Sequence, residues 1–489
     1  MKIPEEVIKI IEKLKKANYE AFIVGGCVRD YLLARRSLGE GGGNRKPKDW
    51  DITTSAKPKE IQKLFKKSFY DNAFGTVGVP IESNDKSLKV IEITTFRIES
   101  KYTDSRHPDE VKFAKTIEED LARRDFRINA IAYNPINKKY IDPFSGKKDL
   151  KEEIIRTVGN PNERFSEDAL RLMRAVRFAT ELNFTIEKET LASIKKHAES
   201  TRVIAKERIR DELIKIIMSD RAHFGIMYLH EAGLLKYIMP EMERGIGISQ
   251  NHHHPYDCYY HGIYSLEYGA LQNYSLEIRL AALLHDIGKP YVKEGLGDRS
   301  TFYNHAQFGA KVVNTALKRL KFPKKLIDKI VHLVEFHLFY YETDVVTESG
   351  VRRLLRRLGK ENIKDFMEVR MCDRIGSRVP KAKPYRLRHL EYMLEKVGSD
   401  PIDSKMLKIN GDEIMEMLKI EPSRKVGLLL ESLLQEVLDD PKNNTKKYLR
   451  ERLKKLHKLS DKELTKKAEK VYQFKQEKDA ERKAKYWIK

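Results

Sequence analysis

The strong strand-type runs of this 489-residue chain all fall before about Pro143, and the remainder is written at helical spacing. Ala21–Val24, Val90–Thr95 and residues 128–133 are short apolar or β-branched runs separated by helical pieces, the pattern of a small α/β domain. Helix-period segments then run through residues 167–182, 207–218, 276–285, 311–320, 326–336, 350–357 and 426–438. Such asymmetry predicts an α+β chain with a mixed head and an all-helical remainder. The length exceeds one compact core, so three or four units are expected.

Residues 24–54 read VGGCVRDYLLARRSLGEGGGNRKPKDWDITT. Gly25 and Gly26 form a turn between the first strand and a short helix over residues 28–34. Residues without side chains let backbone N–H groups approach an anion closely, and the helix dipole adds partial positive charge there. Phosphate suits such a site, although a glycine pair alone also reads as an ordinary tight turn. Asp49 and Asp51 lie one residue apart in the strand-type sequence KDWDITT, so both carboxylates are expected on one face. Parallel carboxylates repel unless a divalent cation neutralises them, which suits Mg²⁺ and phosphoryl-type chemistry. The bland alternative is a solvated edge strand.

Through GG-x-VRD and PKDWDI, the chain resembles the class II tRNA nucleotidyltransferases and the bacterial poly(A) polymerases related to them. The likeness continues in order through EITTFR (residues 92–97), RRDFRINA (123–130), DPFSGKKDL (142–150) and RFSEDALRLMRAVRFA (164–179). The resemblance implies that Asp49 and Asp51 hold catalytic Mg²⁺, which activates an RNA 3′-hydroxyl and stabilises the pyrophosphate leaving group. It implies that Glu92 supplies a third carboxylate and that Gly25, Gly26 and Arg29 hold the triphosphate. Arg123, Arg124 and Asp125 match a family motif that contacts triphosphate and ribose hydroxyls. Arg127 stands where the family commonly has Thr.

Glu167, Asp168 and Arg171 bear on nucleotide choice. On one helix, Asp168 and Arg171 would share a face at spacing three, an acceptor beside a donor. Cytosine and adenine each show an exocyclic amine next to an unprotonated ring nitrogen, whereas uracil and guanine show a carbonyl next to a protonated one. The pair would accept C and A and mismatch U and G, and a buried mismatch costs about 1–3 kcal/mol per group. Arg174 and Arg177 continue the face and resemble nucleotide-contacting family positions. A salt-bridged surface helix is the structural alternative. Between Glu92 and Arg123, RIESKYTDSRHPDEVKF resembles the flexible loop of full CCA-adding enzymes.

LAALLHDIGKP places His285 and Asp286 at a helix end, preceded by His261 and followed by His305, His337 and Asp373. This resembles the metal-dependent phosphohydrolase HD domain, and it implies His261, His285, Asp286 and Asp373 as the minimal ligand set. His305 and His337 are candidates for a second metal, either Mg²⁺ or a divalent transition metal. Helix-capping histidines are the structural alternative. His252, His253 and His254 carry no assignment. Residues 36–44, RSLGEGGGN, read as an exposed flexible insertion, and lack the Lys-Ser or Lys-Thr ending of a Walker motif.

The formal charge is +22, from 95 Lys and Arg against 73 Asp and Glu. It points to a polyanionic partner, RNA in the simplest case. From Pro441 onward, 18 Lys and Arg face 7 Asp and Glu, an excess of 11 that accounts for half of the net charge. No run of eighteen apolar residues exists, and the N-terminal MKIPEEVIKIIEKLKK reads as an amphipathic helix rather than a signal, so a cytoplasmic protein without a membrane partner is expected. Cys27, Cys258 and Cys372 are far apart and suggest neither a disulfide framework nor a thiolate zinc site. Residues 407–440 resemble the tail of bacterial CCA enzymes, with Ser423-Arg424 in place of the usual Gly-Pro.

The expected organisation is a nucleotidyltransferase head (1–150), a helical neck that selects the nucleotide (151–245), an HD body (246–395) and a basic helical tail (396–489). The expected activity is template-independent addition of CCA to tRNA from CTP and ATP. Rival readings are a poly(A) polymerase, a partial CC- or A-adding enzyme, an HD phosphohydrolase whose head only binds RNA, and a tRNA-binding protein without catalysis. The intact Asp49 and Asp51 argue against the last.

Overall fold

The computed structural model describes residues 3–37, 47, 49–71, 75–100, 110–250, 255–295, 299–339, 341–343, 345–378, 383–399 and 407–488. The chain divides into two compact units, Met1–Glu335 with Cys372–Val379, and Phe336–Met371 with Pro380–Lys489.

The first unit begins with α1 (Glu5–Lys16), which has Glu5 and Glu6 in its first turn and Lys13, Lys15 and Lys16 in its last. These charges complement the helix dipole at both ends. Val7, Ile10, Ile11 and Leu14 are buried at i, i+3, i+4 and i+7, each contributing roughly 1.5–3 kcal/mol. This stripe faces β1 (Ala21–Val24), which passes through Gly25 into α2 (Gly26–Ser37). There follow β2 (Asp51–Thr54), α3 (Pro58–Leu64), β3 (Phe69–Asp71), β4 (Thr76–Pro80) and β5 (Val90–Thr95). A hairpin of β6 (Arg97–Ser100) and β7 (Glu110–Phe113) leads to α4 (Ile117–Ala122), β8 (Ala132–Asn134) and β9 (Lys139–Ile141).

Seven of these strands form a sheet in the order β3-β4-β5-β2-β1-β8-β9. β2 and β5 pair in parallel with Asp51 opposite Glu92, while the other neighbours pair antiparallel. Phe22 and Val24 of β1 pack with Phe96, Ile117, Leu121, Ala130, Ala132 and Val158 to form a core under the sheet.

Beyond the sheet come α5 (Gly146–Glu152), β10 (Ile154–Ile155), α6 (Pro161–Glu167), α7 (Leu170–Leu182), β11 (Thr185–Ile186) and α8 (Lys188–His197). Then come α9 (Lys206–Ile217), α10 (Ala222–Glu231), α11 (Leu235–Ile238), α12 (Pro240–Glu243), α13 (Cys258–Leu271), α14 (Leu276–Leu284), α15 (Lys289–Val292), α16 (His305–Arg319) and α17 (Lys324–Phe336). The parallel pair β10 and β11 is a small exception to the all-helical remainder. Arg279 of α14 is fully buried and donates only to oxygens. Nε reaches Tyr274 O at 2.9 Å, Nη1 reaches Ile217 O and Ser219 O at 3.0 Å, and Nη2 reaches Asn273 Oδ1 at 3.3 Å and Ala270 O at 3.5 Å.

The chain continues through α18 (Glu348–Leu358), α19 (Ile363–Gly376), α20 (Tyr385–Ser399), α21 (Gly411–Leu418), α22 (Arg424–Asp439), α23 (Lys446–Leu456) and α24 (Asp461–Lys485). The second unit has its own apolar core, in which Leu429, Leu433 and Leu434 of α22 pack with Leu449, Leu453 and Leu456 of α23 and Leu464 of α24. Ser423 is extended at φ −154° and ψ 163° as the cap residue of α22, a conformation that needs neither Gly nor Pro.

Three local expectations need correction. Residues 128–133 are not one strand: Arg127–Asn129 is a 3₁₀ turn, closed by Asn129 N to Phe126 O and Ala130 N to Arg127 O, and the strand starts at Ala132. Asp49 is exposed in a bend, and β2 begins at Asp51, after Trp50 has buried its ring. The helix expected over residues 167–182 breaks at Asp168, whose backbone is extended at φ −137° and ψ 106°. Residues 38–44 of the insertion, 101–109 of the family loop and His252–His254 lie outside the described residues. Among the described residues, no helix is long and apolar enough to cross a membrane.

Candidate nucleotide and metal sites

Gly25 sits at φ +81°, a left-handed conformation that favours glycine. A Cβ here would lie 3.1 Å from Arg124 Nη1 and 3.6 Å from Asp51 Oδ2, so the bare backbone is what lets a cation and a carboxylate meet at the turn. Arg29 also folds back toward the turn, with Nη2 3.8 Å from where a Cβ of Gly26 would stand. Arg29 is held by Asp30 (Nε to Oδ1, 2.8 Å) and Asn129 (Nη1 to Oδ1, 2.8 Å).

Burial raises the Asp51 carboxyl, and the Asp49 and Glu92 charges add to this against the opposing pull of Arg124, so its pKa is pushed up to about 7. Partial burial together with unfavourable carboxylate repulsion is the condition that a hard divalent cation relieves, and all the donors are oxygens. The residues therefore fit Mg²⁺. Asp51 belongs to the strand, whereas Asp49 approaches from the bend and Glu92 from the exposed side of β5.

Asp120 organises the basic side of the turn. Fully buried, it accepts from Arg123 Nε at 3.0 Å and Nη2 at 2.8 Å, and from Arg124 Nη2 and Thr53 Oγ1 at 3.4 and 3.3 Å. Burial would raise its carboxyl, yet the two guanidiniums hold it below the usual range. Asp125 turns inward: Oδ1 accepts from Phe126 N (2.8 Å) and Asn129 Nδ2 (3.2 Å), and Oδ2 from Arg174 Nε (2.8 Å).

The break at Asp168 rearranges the expected pair. Asp168 Oδ1 caps Leu170 N at 3.0 Å, and Oδ2 is paired with Arg208 Nη2 of α9 at 2.9 Å. Arg171 is paired instead with Glu167 (Nη1 to Oε2, 2.5 Å) and donates to Arg164 O and Arg123 O at 3.1 and 3.2 Å. Asp168 and Arg171 are thus not an i, i+3 salt bridge; each is oriented by a different partner. Arg177 Nε pairs with Glu212 Oε2 at 2.6 Å.

A second cluster sits deeper in the first unit. The Cβ that Gly262 lacks would stand 2.5 Å from Leu283 O, so α13 can approach α14 closely. His261 Nε2 thereby lies 3.1 Å from His285 Nε2 and 3.1 Å from Asp373 Oδ1, while His285 Nε2 lies 3.2 Å from Asp286 Oδ2. His305 Nε2 reaches the other oxygen of Asp286 at 3.4 Å. His285 Nδ1 and His305 Nδ1 contact Ala282 O and Phe302 O at 2.8 and 2.7 Å, which turns each Nε2 into the cluster. Burial disfavours an imidazolium at His285, but Asp286 and Asp373 outweigh it and push its pKa up to about 10. The clustered nitrogen and oxygen donors fit a divalent metal. Lys289 Nζ lies 2.6 Å from Asp286 Oδ2. His337 belongs to the second unit, where its carbonyl accepts from Arg370 Nη1 at 2.9 Å.

Three stretches match known families: residues 21–156 the poly A polymerase head domain, 183–246 the probable RNA and SrmB-binding site of polymerase A, and 253–375 the HD domain. A CCA-adding enzyme of Levilactobacillus brevis is 45% identical over 242 residues, which cover 48% of this chain and 56% of that protein. One of Ligilactobacillus salivarius is 44% identical over 239 residues, 48% of this chain and 55% of that one. The match therefore spans about half the length of these curated relatives. The crystal structure of the Bacillus stearothermophilus CCA-adding enzyme in complex with CTP superposes with a TM-score of 0.59 at 27% identity, over 93% of this chain and 98% of that one.

The chain carries a poly A polymerase head domain, the RNA-binding segment of such polymerases and an HD domain, and it is similar to CCA-adding enzymes.

Several supporting residues escaped sequence reasoning. Asp120, Asn129, Arg208 and Lys289 fix functional candidates, yet Arg208 is 40 residues from Asp168 and Asn129 is 100 from Arg29. Lys289 stood in the HDIGKP motif, and its acidic neighbour at spacing three was the available signal.

Proposed function

We propose that this chain completes tRNA 3′ ends by adding C, C and A from CTP and ATP without a nucleic-acid template. The observation that carries the reading is the meeting of Asp51 and Arg124 at Gly25, on the turn that opens α2. Asp49 and Asp51, with Glu92 beside them, would hold Mg²⁺, which when bound supplies a more acidic 3′-hydroxyl and charge neutralisation on the leaving pyrophosphate. Gly25, Gly26, Arg29, Arg123 and Arg124 bind the triphosphate, the last two fixed by Asp120. Asp125 orients Arg174 and has acceptor capacity left for a ribose hydroxyl.

Asp168, steadied by Arg208, offers the acceptor for an exocyclic amine, and Arg171, steadied by Glu167, offers the donor to an unprotonated ring nitrogen. Arg174 and Arg177 extend this side of α7. In this reading the head is 1–150, the neck 151–245, the HD body 246–395 and the tail 396–489, a cytoplasmic protein whose basic tail follows tRNA phosphates. The names of the curated relatives favour CCA addition over polyadenylation. A tRNA transcript lacking its last three nucleotides, offered CTP and ATP singly and together, tests this. A single completed CCA terminus requires both nucleotides. A long homopolymer from ATP alone would make the protein a poly(A) polymerase.

A second reading rests on the buried His261, His285 and Asp286 with the half-buried Asp373 beside them, which supports a metal-dependent phosphohydrolase site. His305 is a candidate ligand for a further metal, on the other oxygen of Asp286. Hydrolysis of a 2′,3′-cyclic nucleotide with several divalent metals, compared with the His285→Ala/Asp286→Ala variant, tests it. Equal rates would leave the HD region a scaffold.

A further inference from the structure

Phe178 of α7 is 4% exposed and falls between the family matches that end at residue 156 and resume at 183. Three guanidiniums gather over its ring: Arg177 at 4.1 Å from the centroid, Arg29 at 5.1 Å and Arg174 at 5.2 Å. Phe126 meets the ring edge-on, with centroids 5.7 Å apart at 81°. Arg174 and Arg177 come from the same helix as the ring, while Arg29 comes from α2, beside the glycine turn.

Three like charges this close repel, and each is offset by a carboxylate: Arg29 by Asp30 at 2.8 Å, Arg174 by Asp125 at 2.7 Å and Arg177 by Glu212 at 2.6 Å. An ion pair fixes each guanidinium on the side of its carboxylate, and Asn129 also holds Arg29 at Nη1. The electron-rich ring face supplies a further constraint shared by all three, and in a site withdrawn from water this attraction is stronger than at a surface. An aliphatic side chain would fill the space without it.

We propose that Phe178 is a positioning residue for nucleotide binding, holding Arg29 of the triphosphate turn and Arg174 of the base-selecting helix in register on one ring. This rests on the nucleotidyl-transfer reading above. Phe178 touches no substrate in this assignment; it acts through the two arginines.

The test compares Phe178→Leu, which removes the ring, with Phe178→Tyr, which keeps it, and with Leu182→Ala, a core change at the end of the same helix. CTP affinity is measured by equilibrium dialysis, and KM and kcat for CTP and ATP by primer extension on tRNA. The leucine variant is expected to raise the CTP Kd and both KM values about tenfold, with kcat at saturation changed much less. Tyrosine restores most of the affinity, and Leu182→Ala lowers the melting temperature without moving KM. A leucine variant whose Kd and KM stay within about twofold of wild type, or move no further than in Leu182→Ala, overturns the proposal. Should the leucine variant not fold, Phe178→Met serves the same comparison. Wild-type protein that binds CTP without transferring it would end the transfer reading, and the dialysis comparison would then decide on Phe178 alone.

Discussion

Asp125 Oδ2 receives both Nε and Nη2 of Arg174, at 2.8 and 2.7 Å, and so ties the loop after α4 to the middle of α7. Burial would raise this carboxyl, but Arg174 and Arg171 hold its pKa down to about 2.

Because the folded pKa is depressed below the ordinary 3.8, the unfolded chain takes up the proton first as pH falls. The stabilisation, about 2 kcal/mol, is fully present above the unfolded pKa and is lost as pH falls through the folded one. Asp125→Asn should therefore be less stable than wild type at pH 7, by about 2–3 kcal/mol, with the gap narrowing between about pH 4 and 2. Denaturant titrations at several pH values check this, and a constant gap would mean that Arg174 does not hold the carboxylate ionised.

Asp51→Ala should reduce nucleotide transfer at least about a thousandfold while leaving tRNA affinity nearly unchanged, because cation binding and phosphate-backbone contacts draw on different residues. Asp49→Ala should behave alike. Incorporation assays beside filter binding measure both, and near-normal transfer by either variant would remove the metal assignment.

Arg171→Ala should lower CTP and ATP use together and relax rejection of UTP by about 10–100-fold. Competition between CTP and UTP at fixed tRNA reads this out. Since Arg171 also donates to Arg164 O and Arg123 O, some thermal destabilisation should accompany it. A destabilised variant with intact discrimination would make the residue a strut of the α6–α7 junction.

Deleting the chain from Pro441 would remove Leu449, Leu453, Leu456 and Leu464 from the second unit's core, so truncation cannot isolate the basic charge. Lys447, Lys454 and Lys455 are exposed on α23 and can be neutralised individually. Changing all three to Gln should weaken tRNA binding and lessen the dependence of log K on log salt by up to about 0.9 per lost phosphate contact. An unaltered slope would place tRNA elsewhere.

The glycine turn and the Asp51 strand were legible because each uses a short local pattern with a geometric reason behind it, whereas the HD cluster, with His261 and Asp373 112 residues apart, was legible through its resemblance to a family. The helical setting of Asp168 was misread because an aspartate that caps a new helix and one inside a continuous helix occupy the same place in sequence. Its true partner, Arg208, lies on another helix, beyond the reach of local spacing. Asp49 was placed in the strand by alternation alone, yet β2 starts only at Asp51 and leaves Asp49 exposed in the bend. In α23 the charge excess drew attention away from Leu449, Leu453 and Leu456, whose i, i+4, i+7 spacing marks a buried face.

Arg279 gives the first unit a shared point of failure. Its guanidinium donates to carbonyls at the end of α9 and at the end of α13 with one side chain. Neither helix end can fray without orphaning the same buried cation, so the neck and the HD region should lose amide-exchange protection in one concerted opening rather than in sequence.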